Sequence, residues 1–273
     1  ELINTGLKDM IHENDSNMVI INFNTEKAGA AYPTSEQFLK AIAGVRGEQL
    51  SAYVDNVKDE PLITAKPKAG RIVKEVKNDR LGYTELTLSN GAKVVLKKTD
   101  YKQDQVLLEA EGQGGQSLYN DPKDFVNLKL ADDVIEASGL GNFSHTELEK
   151  ALAGKIASAS FSFGTRRQSV SGSSTPKDVE TMLQLMYLYF TKINKDQESF
   201  DNLMKTMEVS LKNKALSPDM AFSDSLQATT MCHNPRFTPL TLDDLKQVSY
   251  DRILQIARER LANAAAYTFT IMG

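Results

Sequence analysis

The chain has 273 residues, 41% hydrophobic and 25% charged, an ordinary globular balance that excludes a low-complexity or disordered polymer. Its net charge of −4, with acidic and basic residues interleaved, argues against non-specific nucleic-acid binding and against a polybasic membrane patch. The single cysteine, Cys232, excludes an internal disulfide, and no stretch is long and apolar enough to span a bilayer.

Residues 1–13 are weakly periodic and read as the end of a helix, and residues 17–23 (NMVIINF) as a short strand. Thr34-Ser35-Glu36-Gln37 is a capping box that starts a helix through Val45. Residues 65–79 are rich in Lys, Pro and Gly and read as linker. This divides the chain into a segment 1–64, too short for its own core, a linker 65–80, and a domain 81–273. The start lacks Met and the end stops on an apolar strand, so the chain is expected to be a piece of a longer protein.

Residues 84–88 and 92–98 alternate around Asn90-Gly91, the signature of a hairpin with a type I′ turn. A third strand covers 105–111. Asp121-Pro122 opens a helix running to Ser138, closed by Gly139-Leu140-Gly141, and Ser144-His145-Thr146-Glu147 caps the next helix. Residues 157–165 and 167–171 alternate and pair as a second hairpin. Thr175-Pro176 starts a helix to Thr191 with an apolar face of Val179, Met182, Leu183, Met186 and Phe190. Helices follow over 196–214, from Ser217-Pro218 to about 230, and from Thr241 to about 261, before a closing strand at 267–272. Strands and helices are segregated, which predicts an α+β fold: a mainly antiparallel sheet with helices packed on one face.

The chemistry-bearing residues are few. The only histidines, His12, His145 and His233, are far apart, so the chain offers no paired imidazoles for a metal. His145 reads as an exposed residue in a helix's first turn, and Cys232-His233 as a loop before Asn234-Pro235. Gly112-Gln113-Gly114-Gly115 and Gly139-Leu140-Gly141 lack the spacing of phosphate-binding loops and read as turns. Of Arg166 and Arg167 at most one points inward, because strand neighbours face opposite ways. Ser171–Ser174 read as a polar approach to a helix, and Tyr187, Tyr189 and Phe190 as core and rim of one.

Several ordered motifs carry a resemblance: LSNGAKVVLKKTDYKQDQVLL, GGQS, SGLGNFSHTELEKALAGK, SGSSTPKDVETMLQLMYLYFT and PRFTPLTLDDL, with PTSEQFLKAIAGV and YVDNVKDEPLI upstream. In this order they resemble the pitrilysin/insulinase-type zinc peptidases, specifically the non-catalytic second half of long bacterial members. The resemblance implies a half-domain of the pitrilysin and mitochondrial-processing-peptidase kind. The inverted zinc motif of the family, H-x-x-E-H, belongs on a helix corresponding here to 121–138. That stretch carries Asn127, Lys129, Asp132, Asp133 and Glu136 but no His, and these polar residues are expected on a solvated surface.

The implied function is a structural, substrate-enclosing and non-catalytic domain of a zinc endopeptidase acting on peptides. The alternatives are a scaffold or assembly role in a catalytically dead relative, or a peptide-binding module. The chain itself is expected to be inactive, with no catalytic, cofactor-binding or metal-binding residue, and zinc is expected in the other half of the parent. Its implied partners are that catalytic half and peptide substrates, with no nucleic acid and no membrane insertion. A free strand edge is expected to accept extended peptide. The resemblance places the parent in the periplasm or cell envelope.

Overall fold

The computed structural model describes residues 2–10, 19–21, 29, 31–49, 51 and 58–273, in two compact units, Glu1–Asp55 and Asn56–Gly273. In the smaller unit, helix α1 covers Leu2–Met10 and α2 covers Ser35–Arg46. The expected capping box forms: Thr34 Oγ1 accepts from the Gln37 amide, and Gln37 Oε1 accepts from the Thr34 amide. The strand expected at 17–23 falls mostly outside the described residues, and Val19–Ile21 have no regular structure.

The larger unit opens with strands β1 (Ile72–Asn78), β2 (Tyr83–Leu88), β3 (Lys93–Lys97) and β4 (Val106–Gln113). Helices α3 (Phe125–Lys129) and α4 (Ala131–Glu136) precede the short β5 (Gly139–Leu140) and α5 (His145–Ala151). The hairpin β6 (Ala157–Phe163) and β7 (Arg167–Ser174) leads to α6 (Val179–Thr191) and the short β8 (Ile193–Asn194). Helices α7 (Gln197–Lys214), α8 (Pro218–Thr230), α9 (Leu242–Leu245) and α10 (Tyr250–Leu261) run to the last strand, β9 (Tyr267–Met272). Seven strands form one sheet in the order β1-β2-β3-β9-β4-β7-β6, antiparallel except for the β3–β9 pair, and β5 pairs with β8 separately. The α+β reading holds.

Period-two burial decides how the layers stack. Along β4, Leu108, Ala110 and Gly112 are buried while Leu107, Glu109 and Gln113 are exposed, and Gln168 and Val170 of β7 are buried beside them. Helices α4 and α6 pack on that buried face, and α10 packs on α3, α4 and α6. The core joins Phe161, Phe163, Met182, Leu185, Ile253 and Tyr267. Gly112 lets the layers close: a Cβ there would lie 2.7 Å from Gln168 Nε2 and 2.8 Å from the Tyr267 ring. Tyr267 in turn donates its hydroxyl to the Arg260 carbonyl at 3.0 Å.

Several local expectations need correction. The first hairpin forms, but its turn is a three-residue loop, Ser89-Asn90-Gly91, in which only Gly91 has positive φ (88°). The Leu88 amide donates to the Ala92 carbonyl across the loop, and the Ala92 amide to Asn90 Oδ1, so the asparagine acts through its side chain rather than a left-handed backbone. The helix expected over 121–138 is a turn capped by Asp121, then α3, then a break at Leu130 (φ −105°, ψ 4°), then α4. The helix expected over 241–261 is likewise split into α9, capped by Thr241, and α10, capped by Ser249.

The apolar face of α6 is rotated from the expected one. Met182, Leu185, Met186, Leu188 and Tyr189 are buried, whereas Leu183 is 43% exposed. The sequence TMLQLMYLYF is apolar around most of the helix, so spacing alone does not select a side. Within the stretch read as linker, Ile72–Asn78 is a strand, and upstream of it Leu62 is buried in the core of the larger unit. The lysines of 72–78 hid the strand, because an edge strand tolerates charge that a central one would not.

A half-buried ion pair fixes α10 to the start of α3. Arg252 donates from Nε to Asp124 Oδ1 at 2.8 Å and from Nη2 to Oδ2 at 2.7 Å, a bidentate pair with Asp124 buried. The hydrogen bonds from Arg252 hold the Asp124 carboxyl below its ordinary range, outweighing the burial that would raise it.

Two outcomes are expected. Asp124→Ala should destabilise the fold by about 1–3 kcal/mol at pH 7 in urea denaturation, because Arg252 loses its bidentate acceptor and keeps only Glu259 at 3.7 Å. A depressed folded-state pKa contributes stability that is full above the unfolded value of about 3.9 and lost as pH falls below it, so the gap between variant and wild type should shrink below about pH 4. Gly112→Ala should cost about 1–3 kcal/mol by overpacking against Tyr267, read as a lower denaturation midpoint.

Candidate functional site

The helical segment α3–α4 spends its polar side chains on structure. Asn127 is buried rather than solvated: its Oδ1 accepts from the Ser249 amide at 2.8 Å and its Nδ2 donates to the Lys123 carbonyl. Lys129 donates to Thr238 Oγ1 at 3.0 Å, and burial lowers its pKa. Asp132 accepts from the Phe163 amide at 2.6 Å and from Ser162 Oγ at 3.2 Å, while burial raises its carboxyl above the ordinary range. Only Asp133 and Glu136 are exposed as expected. The correction has a simple cause: the segment is broken at Leu130 and wedged between β6 and α10, so polar positions that a free helix would solvate meet backbone groups instead.

The remaining candidates are dispersed. His12 lies outside the described residues. His145 begins α5, with Nε2 3.7 Å from Glu149, and its amide donates to Asp196 Oδ2. Cys232 and His233 form a loop after α8, both with left-handed backbone (φ 52° and 53°). Among the described residues, no three His, Cys, Asp or Glu side chains group as a metal site. Asp196 also caps α7 through the Ser199 amide, and its own amide donates to the Tyr250 hydroxyl. Ser138 gives its proton to the Val134 carbonyl, so Tyr250 donates to Ser138 Oγ at 2.8 Å. This chain of bonds ties α4, α5, α7 and α10 together.

Of the glycine stretch expected to be a turn, Gly112 and Gln113 instead end β4, and only Gly114 and Gly115 make the turn. The Gly114 amide bonds the Arg166 carbonyl, the Gly115 amide bonds Gln168 Oε1, and both residues have positive φ. Those donors are engaged within the chain. Neither Arg166 nor Arg167 enters the core; Arg167 pairs with Glu111 at 3.0 Å on the surface. Ser171–Ser174 belong to β7 rather than to an approach to α6, because the register with β4 continues to Ser174 opposite Val106. Tyr189 is buried with its hydroxyl on the Ala159 carbonyl, Tyr187 lies at the rim, and Phe190 packs edge-on against Tyr267 at 4.9 Å.

The feature that period and register together produce is the second face of the sheet. Ser158, Ser160 and Ser162 of β6 stand opposite Ser173, Ser171 and Ser169 of β7. Register carries these rows onward: Ser162–Ser169–Glu111–Thr268–Lys93 and Ser160–Ser171–Glu109–Thr270–Val95. A third row, Ser158–Ser173–Leu107–Met272–Lys97, adds a small apolar strip. All these residues are exposed or half-exposed. The result is a broad surface of short hydroxyl side chains with carboxylates near its middle. The alternation ASASFSF against RQSVSG carried this signal in the sequence, but only pairing of the two strands turns it into one surface.

The two sheet edges differ. On β6, the Phe163 amide is taken by Asp132, its carbonyl by Gln116 Nε2 at 2.7 Å, and the Ala159 carbonyl by Tyr189. Side chains of the same chain thus take three outward backbone groups of that edge. On β1, the residues from Ile72 to Lys77 are exposed and only Asn78 is half-buried.

No family model matches the chain. A zinc protease PQQL-like protein of Arabidopsis thaliana is 23% identical over 250 residues, covering 90% of this chain and 23% of its own. The probable zinc protease PqqL of Escherichia coli is 25% identical over 228 residues, 83% of this chain and 24% of its own. The crystal structure of the periplasmic protease PqqL from Escherichia coli matches with a TM-score of 0.67 at 21% identity, over 88% of this chain and 26% of that one. A peptidase M16 inactive domain from Pseudomonas fluorescens matches with a TM-score of 0.54 at 12% identity, over 70% and 46%. The chain thus spans about a quarter of the length of these curated relatives. Proteins described as zinc proteases are thus similar in sequence along most of this chain, and the periplasmic protease PqqL and the peptidase M16 inactive domain share its fold.

Proposed function

We propose that this chain is a non-catalytic wall of a zinc endopeptidase, in which the hydroxyl-lined face of the sheet borders the space where peptides are held. The observation that carries the reading is that face: three rows across five strands, made largely of Ser, Thr, Glu and Lys with an apolar strip at Leu107 and Met272, while helices pack on the opposite face. A surface meant for a permanent protein interface would be expected to carry an apolar, aromatic centre. Short hydroxyls with scattered carboxylates suit instead a wetted wall past which peptides of varied sequence move. The α3–α4 segment supports the same reading, because its polar groups are committed to holding β6 and α10. In this proposal zinc and the general base belong to a catalytic half of a longer parent, and the PqqL relative, a periplasmic protease, suggests the periplasm as the compartment.

The purified 273-residue chain should then carry less than stoichiometric zinc by elemental analysis and cleave no peptide. Chelator-sensitive cleavage by this chain would overturn the proposal. In the complete peptidase, Ser171→Trp should lower kcat/KM for long peptides by about tenfold, a barrier change of ~1.4 kcal/mol, with zinc content unchanged. Unaltered kinetics would contradict a role for this face.

A further inference from the structure

We propose that β1 is a pairing edge for a second copy of this chain, the two β1 strands running antiparallel about Val76 so that Glu75 of each copy faces Lys77 of the other. The backbone geometry sets the register. The Asn78 carbonyl accepts from the Gly82 amide, so Asn78 directs its backbone groups toward β2. The pairs Lys74 with Thr87, Val76 with Glu85 and Asn78 with Tyr83 continue that alternation. Glu75 and Lys77 therefore point their amides and carbonyls away from the sheet, toward whatever strand adds to it. An antiparallel pair in which residue 75 meets residue 77 brings these outward groups together as hydrogen-bonded pairs on both sides of the two-fold axis, with Val76 against Val76 between them.

The side chains agree with this register. Glu75 and Lys77 lie on one face of β1, 4.0 Å apart within the strand, and the two-fold places each against the opposite charge of the second copy. Lysines on a lone edge usually repel an incoming strand, but here each Lys77 is offered a carboxylate. Ile72, Val73 and Val76 are 58%, 61% and 46% exposed, an apolar content unusual for an edge left to solvent. On the other edge, β6, Asp132, Tyr189 and Gln116 already take three outward backbone groups, whereas among the described residues no hydrogen bond is made to the outward groups of Glu75 and Lys77 in β1. A C2 pairing of this kind is self-limiting, because each copy has a single β1 to give.

The test is sedimentation velocity of the 273-residue chain over a concentration series, with Glu75→Lys, Lys77→Glu and the double reversal. Both positions are exposed, and circular dichroism checks that the variants keep the fold. Wild type should dimerise, each single reversal should weaken the dimer by about tenfold or more by setting like charges opposite, and the double reversal should restore it. A wild type that stays monomeric, or single reversals that dimerise as well as wild type, would overturn the proposal. So would a monomer whose residues 72–78 respond instead to an added extended peptide in nuclear magnetic resonance spectra.

Discussion

Because side chains of a strand alternate between two faces, burying Leu108 and Ala110 of β4 and Val170 of β7 beneath α4 and α6 obliges Glu109, Ser169 and Ser171 to the other side. A slip of one residue would drive the serines and carboxylates into the core, so the register is held by the whole apolar layer. The close approach of Tyr267 to Gly112 adds a steric lock to the same register. The one-sided helical cover and the polar opposite face are thus two aspects of a single constraint.

The helical layer has its own logic. Asp124 with Arg252, Asn127 with the Ser249 amide, and Tyr250 between Ser138 and Asp196 are hydrogen bonds that cross between elements rather than along them. Each satisfies a polar group that packing has taken from water, and an unpaired group there would carry a desolvation penalty. A helix committed in this way has few free side chains for chemistry. This agrees with the proposed role, in which the chain contributes shape and surface.

Much of the fold was legible because its signals are local. The caps at Thr34, Ser144 and Ser217, the Asn-Gly hairpin and the 157–174 hairpin each depend on neighbours a few residues apart. What escaped were features decided at long range. The breaks at Leu130 and near Lys246, the rotation of α6, and the burial of Asn127 follow from neighbours more than a hundred residues away or from layers above and below. Strand β1 escaped because edge strands obey weaker composition rules, and the serine face because it exists only once two strands are in register. The family resemblance rested on ordered motifs and was supported by relatives along most of the chain.

The proposed place of this domain makes its serine face an inner surface of the complete peptidase. The most direct measurement is cysteine accessibility there. In a Cys232→Ser background with Ser171→Cys, a small maleimide and one carrying a bulky polymer are compared on the complete enzyme. The account predicts rapid labelling by the small reagent and strong protection from the large one, with protection lost when the enzyme is unfolded. Equal and rapid labelling by both reagents on the folded enzyme would place the face on the outside and contradict the account.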